Sequence, residues 1–293
     1  MAELNPAAVP LSLYIHMPWC VRKCPYCDFN SHAVPDGQLS LELEQEYLRA
    51  LVEDFKTQVD FAQGRQIHSV FIGGGTPSLI SALGYQWLFD QLKAVIPFAE
   101  GCEITLEANP GTVEHDPFAG YLQAGINRLS IGVQSFNTEH LKRLGRIHSN
   151  EDAISAIGLA REAGFQRINV DLMHGLPEQT LEQALHDLKL AVEQGATHIS
   201  WYQLTIEPNT VFFRTQPILP VDEVLEDIQE QGELYLKAQG FINYEVSAWR
   251  KELPSAHNLN YWQFGDYLAI GAGAHGKVTQ PDGVYRFQKT RLP

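Results

Sequence analysis

The chain has 293 residues, 44% of them hydrophobic and 19% charged, with a formal net charge of −14. That length suits one barrel-sized domain, or a domain with a small appendage. An acidic surface repels phosphate backbones, which argues against nucleic acid as a partner. No run of about 18 apolar residues is present to cross a membrane. The first residues lack the basic-then-apolar pattern of a secretory signal, so a cytoplasmic location is expected. The acidic residues are spread over segments such as EQEYLRALVED (44–54) and EVLEDIQEQGE (223–233), as on solvated helix faces.

Strands are predicted at LSLYIHM (11–17), IHSVFIGG (67–74), EITLEA (103–108), RLSIGVQ (128–134), RINVDLM (167–173) and HISWYQLT (198–205). The intervening segments carry helical spacing: Leu43, Tyr47, Leu51, Phe55 and Val59, then Leu181, Leu185 and Leu188, then Val224, Ile228 and Tyr235. Alternation of this kind gives a parallel sheet covered by helices. Six units predict a partial (β/α)6 barrel of the TIM type, with an open doubly wound sheet as the alternative. The barrel is expected over residues 1–240. A short β extension over 241–293 is expected to begin with FINYEVSAW as a strand. HNLNYWQFGDYLAIGAGAHGKV then follows as a loop and glycine-rich return.

The four cysteines are Cys20, Cys24, Cys27 and Cys102. Three of them form a C-x3-C-x2-C run directly after the first predicted strand. Pro25 disfavours helix at Cys24, so the run is expected as a loop. Three thiolates can hold three irons of a [4Fe-4S] cluster, leaving the fourth iron for a small molecule. In radical S-adenosylmethionine (SAM) chemistry that molecule is SAM, and an electron from the cluster breaks its carbon–sulfur bond. A zinc site with His16 or His32 as fourth ligand is the competing reading. Cys102 opens a strand with no thiol or histidine nearby and reads as a small buried hydrophobe.

The other unusual residues fall at successive strand ends. Gly73, Gly74, Gly75 and Thr76 end the second strand, where glycine lets a ligand approach the backbone and the SAM amino group could bind. Glu107 ends the third strand and could hold the SAM amine or a ribose hydroxyl. Gln134, Arg146 and Asp171 can supply hydrogen bonds and a counter-charge to the SAM carboxylate. Further on, His257 stands among aromatics in HNLNYW. An imidazole there could ligate heme iron, or be a histidine satisfied within its loop. The segment Gly271 to Gly276 reads as a loop for close backbone approach, with a packed turn as the alternative, and His275 within it is a weaker candidate.

YIHMPWCVRKCPYCDFNSH, IGGGTPSL, EANPGT, SIGVQSF, RLGRIH, LMHGLP and HNLNYWQFGDY together resemble the HemW family, radical SAM heme chaperones related to anaerobic coproporphyrinogen III oxidase. The resemblance runs from about Leu11 to Lys277. It implies a cluster on Cys20, Cys24 and Cys27, and SAM contacts from Tyr14, Gly74, Gly75, Thr76, Glu107, Gln134, Arg146 and Asp171. It implies heme binding through the HNxxYW segment led by His257. The implied partners are heme, a heme-acceptor protein and an electron donor, and the resemblance allows a peripheral membrane association. The oxidase branch carries a further cysteine two residues after the third. Phe29 stands at that position here, and only about ten residues precede the first strand, both of which favour the chaperone branch. The family continues past the barrel, so residues 241–293 are expected to be the start of a truncated C-terminal region.

Overall fold

A computed structural model describes residues 4–34, 37–111 and 116–293. Met1, Ala2, Glu3 and Thr112, the last residue of the EANPGT segment, lie outside the described residues. The strands are β1 (Leu11–Met17), β2 (Trp19–Cys20), β3 (His32–Ala33), β4 (Ile67–Gly74), β5 (Phe98–Ala108) and β6 (Arg128–Gln134). They continue with β7 (Arg167–His174), β8 (His198–Gln203), β9 (Ile242–Asn243), β10 (Ala248–Arg250), β11 (Asp266–Ile270), β12 (His275–Gln280) and β13 (Gly283–Gln288). The helices are α1 (Leu41–Lys56), α2 (Val59–Ala62), α3 (Ala82–Val95), α4 (Phe118–Gln123) and α5 (Thr138–Arg143). After them come α6 (Asn150–Glu162), α7 (Leu181–Glu193), α8 (Val211–Thr215), α9 (Asp222–Ala238) and α10 (Ala256–Trp262).

One sheet runs in the order β13-β12-β11-β1-β4-β5-β6-β7-β8-β10-β9, and β1, β4, β5, β6, β7 and β8 are its six parallel central strands. This is the partial barrel expected from the sequence. Side chains alternate across each strand. Leu13, Ile15, Val70, Ile72, Leu106, Ile131 and Val170 point out and join a core with Tyr47, Leu51 and Phe55 of α1 and Tyr85, Leu88 and Leu92 of α3. The opposite face is polar. The register sets Ser12 beside Ser69, Tyr14 beside Phe71, Glu107 beside Ser130 and Asp171 beside Ser200.

Helix starts are fixed by side-chain caps. Ser40, Ser81 and Asn137 accept backbone N–H groups, and Ser149 with Asp152 and Thr180 with Gln183 form capping boxes. In α1 the predicted stripe buries Tyr47, Leu51 and Phe55, while Leu43, in the first turn, and Val59, beyond the helix end at Lys56, remain exposed.

Residues after 240 complete both edges of the same sheet. β10 pairs antiparallel with β8, and β11 pairs parallel with β1. The predicted strand at 241–249 is interrupted between β9 and β10, where Glu245 accepts from Ser247. The segment expected as a loop differs most. Ser255 caps Asn258 N–H and starts α10, and buried Leu268, Ala269 and Ile270 make β11 a strand. No helix of the described residues is long and apolar enough to cross a membrane.

Candidate functional site

The cysteine run lies where β1 hands over to a short strand and a loop. Cys20 ends β2 and is buried, while Cys24 and Cys27 sit half-buried in the irregular segment that Pro25 helps keep out of helix. The loop is tied to the barrel at several points. Gly75 N–H donates to Met17 C=O and Thr76 N–H to Trp19 C=O, each at 2.6 Å. Arg146 donates to Asn109 Oδ1 at 2.6 Å and to Gly132 C=O at 2.7 Å, and reaches Cys24 Sγ at 3.6 Å. Burial raises the Cys20 thiol and lifts Cys27 to about 11.

The glycines after β4 are set by close approach. Gly74 has φ +109°, and a Cβ there would stand 2.4 Å from His16 Cε1. A Cβ on Gly75 would stand 2.3 Å from the Trp19 carbonyl oxygen. His16 accepts from or donates to Tyr14 OH through Nδ1 at 2.9 Å and faces Asn30 C=O through Nε2 at 2.8 Å. A carbonyl can only accept, so Nε2 carries the proton and Nδ1 accepts from Tyr14. Both ring nitrogens are engaged, which leaves His16 no lone pair for zinc. His32 Nε2 lies 3.4 Å from Arg291 C=O.

Two inward carboxylates follow. Gly74 N–H donates to Glu107 Oε2 at 3.2 Å. Burial, and then the neighbouring Asp171 carboxylate, push Glu107 up to about 8. Asp171 accepts from Ser130 at 2.8 Å and from Asn169 at 2.7 Å, yet burial still raises it. Gln134 ends β6 with φ +69° and accepts from Tyr202 OH at 2.7 Å. Thr76 is buried and accepts from Asn109 Nδ2 at 3.1 Å. The structure therefore brings Gly74, Gly75, Thr76, Glu107, Gln134, Arg146 and Asp171 to one end of the sheet, beside the cysteines.

The opposite end carries a network that sequence reasoning missed. Glu103 of β5 accepts from Arg167 Nη1 at 2.6 Å, from Ser255 Oγ and His257 N–H at 3.2 Å, and from Ala256 N–H at 3.1 Å. Burial alone would raise this carboxyl, but Arg128, Arg167 and these N–H groups hold it below the usual range. Its signal was the inward alternation Glu103-Thr105-Glu107, which places both glutamates on one face.

His257 belongs to this second network. Its ring stacks on Phe71 at 4.3 Å and meets Tyr261 edge-on at 4.7 Å. It is 6% exposed, its Nδ1 is buried without a hydrogen bond, and burial lowers it to about 3. The ring is thus enclosed between two aromatic side chains. Tyr261, by contrast, opens on a cavity of about 710 Å³ beside Cys27. Cys102 is half-buried within β5, as a small core side chain.

Residues 14–191 match the Radical SAM superfamily. The chain is 56% identical to the heme chaperone HemW of Escherichia coli (strain K12) over 97% of its own length and 75% of that protein's. It is 36% identical to HemW of Bacillus subtilis (strain 168), over 91% of this chain and 71% of that one. The coproporphyrinogen III oxidase HemN of Escherichia coli, a radical SAM enzyme, superposes with a TM-score of 0.81 at 26% identity, over 97% of this chain and 67% of that one. The chain thus belongs to the radical SAM superfamily and, within it, to the HemW family.

The superfamily implies a [4Fe-4S] cluster and SAM, and the residues present fit both. The donor set is three cysteines on one loop. Beside it, the backbone is opened by glycines that no Cβ could replace, and two buried acids stand where a cationic ligand would relieve them.

Proposed function

We propose that the chain is a heme chaperone that holds a [4Fe-4S] cluster and SAM at the carboxyl ends of the barrel strands and passes heme to an acceptor protein. One observation carries the reading. The cysteine loop, the glycine turn and the paired acids converge in a chain 56% identical to a heme chaperone over 97% of its length. An electron donor and a peripheral membrane contact belong to the same proposal.

In this reading Cys20, Cys24 and Cys27 ligate the cluster. When bound, the cluster and SAM supply one-electron chemistry at the SAM sulfonium. Glu107 and Asp171 face the positive groups of SAM, and the backbone of Gly74 and Gly75 lets its amino acid moiety lie close. Arg146 balances the carboxylate, while Gln134 and Thr76 offer hydrogen bonds. Tyr14 orients His16, which in turn holds Asn30 and so shapes the cysteine loop.

The fold likeness to coproporphyrinogen III oxidase favours a second reading, porphyrinogen decarboxylation on the same site. The two separate experimentally. Anaerobically reconstituted protein should bind heme stoichiometrically in an absorbance titration and leave coproporphyrinogen III unchanged in the presence of SAM and reductant. SAM-dependent formation of protoporphyrinogen would replace the chaperone reading with the oxidase one.

A further inference from the structure

α7 buries Ala184, Leu188 and Ala191, and Asp187 lies buried with them at 1% exposure. A carboxylate so placed loses its hydration, and burial pushes it up to about 7. Its oxygens reach the turn that follows Gln134. Ser135 Oγ donates to Oδ2 at 2.7 Å, and Phe136 N–H donates to Oδ1 at 2.7 Å. Ser135 Oγ in turn accepts from Asn137 N–H at 3.0 Å, and Ser135 N–H closes back on Val133 C=O at 2.9 Å. The turn is tight because Gln134 sits at φ +69°, a left-handed conformation that is costly for a residue with a Cβ. β6 slips its register on β7 at the same point, so that Ile131 faces Val170 while Gln134 faces Leu172. A bulge of this kind re-aims a side chain, and something must hold it.

We propose that Asp187 is a positioning residue of the SAM site: from α7 it holds the left-handed turn that aims Gln134, and it sets the start of the helix that delivers Arg146. This rests on the reading above, in which Gln134 and Arg146 meet SAM.

The connection to Arg146 runs through α5. Asn137 is both the last link from Asp187 and the cap of that helix, its Oδ1 accepting from Glu139 N–H at 2.9 Å and from His140 N–H at 3.2 Å. Beyond the other end of α5, Arg146 N–H donates to Leu141 C=O at 2.9 Å, so the arginine follows the helix directly. α7 makes a second contact with the same helix. Gln183 lies four residues before Asp187 and so on the same side of α7. Its Oε1 accepts from His140 Nε2 at 3.1 Å and from Thr180 N–H at 3.0 Å. The two aimed groups converge on one glycine. A Cβ on Gly132 would stand 3.0 Å from Gln134 Nε2 and 3.5 Å from Arg146 Nη2. Tyr202 OH donates to Gln134 Oε1, which orients the amide so that its donor nitrogen faces that glycine.

The test is SAM affinity of the anaerobically reconstituted protein by equilibrium dialysis, with iron content and denaturation midpoint measured alongside. The variants are Asp187→Ala, Asp187→Asn, Gln134→Ala and the double variant Asp187→Ala with Gln134→Ala. Asp187→Ala removes both acceptors and should weaken SAM binding roughly tenfold, with iron content at the wild-type level. Asp187→Asn keeps an acceptor for Phe136 N–H and should recover part of that loss. In the double variant the loss should fall short of the product of the single losses, because one residue acts through the other. A general loss of stability would lower the midpoint without producing that rescue or that coupling. If Asp187→Ala does not fold, Asp187→Asn carries the test, with an expected weakening of roughly threefold. Wild-type SAM affinity in folded Asp187→Ala, or in Asp187→Asn where the alanine variant does not fold, would overturn the assignment and leave the SAM site standing. So would single losses that multiply in full. No SAM bound by wild type would remove both.

Discussion

Glu103 and Glu107 lie four residues apart on one face of one strand, and their surroundings drive them in opposite directions. Glu103 is met by Arg167, by the buried Arg128 and by the first N–H groups of α10, and it stays ionised. Glu107 is met by one N–H, from Gly74, and by a second acid, and it holds its proton up to about 8. The lower carboxylate finds its counter-charge within the chain. The upper one and Asp171 have none that suffices, and a buried acid in that condition marks a place prepared for a cationic ligand. One end of the barrel is closed by protein, and the other is left for what the protein binds.

The contrast can be broken from below. Arg167→Met leaves Glu103 short of its direct ion pair, and removing one partner of a buried pair costs about 3 kcal/mol. Its denaturation midpoint should fall accordingly, with SAM affinity of the folded protein unchanged. If the midpoint stays within error, the closed end is not held by this pair.

A smaller effect with the opposite sign is expected above. The native Glu107 carboxyl keeps its proton to about pH 8, whereas in the unfolded chain it is lost near pH 4.3. Between these limits the native state binds more protons, so this group's contribution to stability falls as pH rises. Ligand-free Glu107→Gln should therefore be more stable than wild type at pH 8, by about 1–2 kcal/mol, with the gain fading towards pH 5. The same variant should bind SAM roughly tenfold more weakly, because a charged hydrogen bond is lost. A variant less stable at pH 8, or one with intact SAM affinity, would deny Glu107 its place.

Much of this was legible in the sequence. β-branched and apolar runs gave β1, β4 and β6 their observed limits, because strands buried on both faces must be rich in such residues. The cysteine spacing, the glycines and the inward acids were readable because each is a residue type with one dominant use at a strand end. The region after residue 240 was not. β11 joins the sheet beside β1, some 250 residues earlier in the chain, and α10 depends on Glu103, 152 positions before Ser255. Local periodicity carries no trace of such distant partners. For the same reason HNLNYW read as an open loop, and the enclosure of His257 by Phe71 could only be seen in the fold.

The most direct test is EPR of the reduced, reconstituted protein with and without SAM, alongside a variant with Cys20, Cys24 and Cys27 all replaced by Ser. Wild type should show a [4Fe-4S] signal that changes on adding SAM, and the triple variant should hold neither iron nor signal. A signal that survives loss of the three cysteines, or one in wild type that SAM leaves unaltered, would contradict the assignment of this end of the barrel.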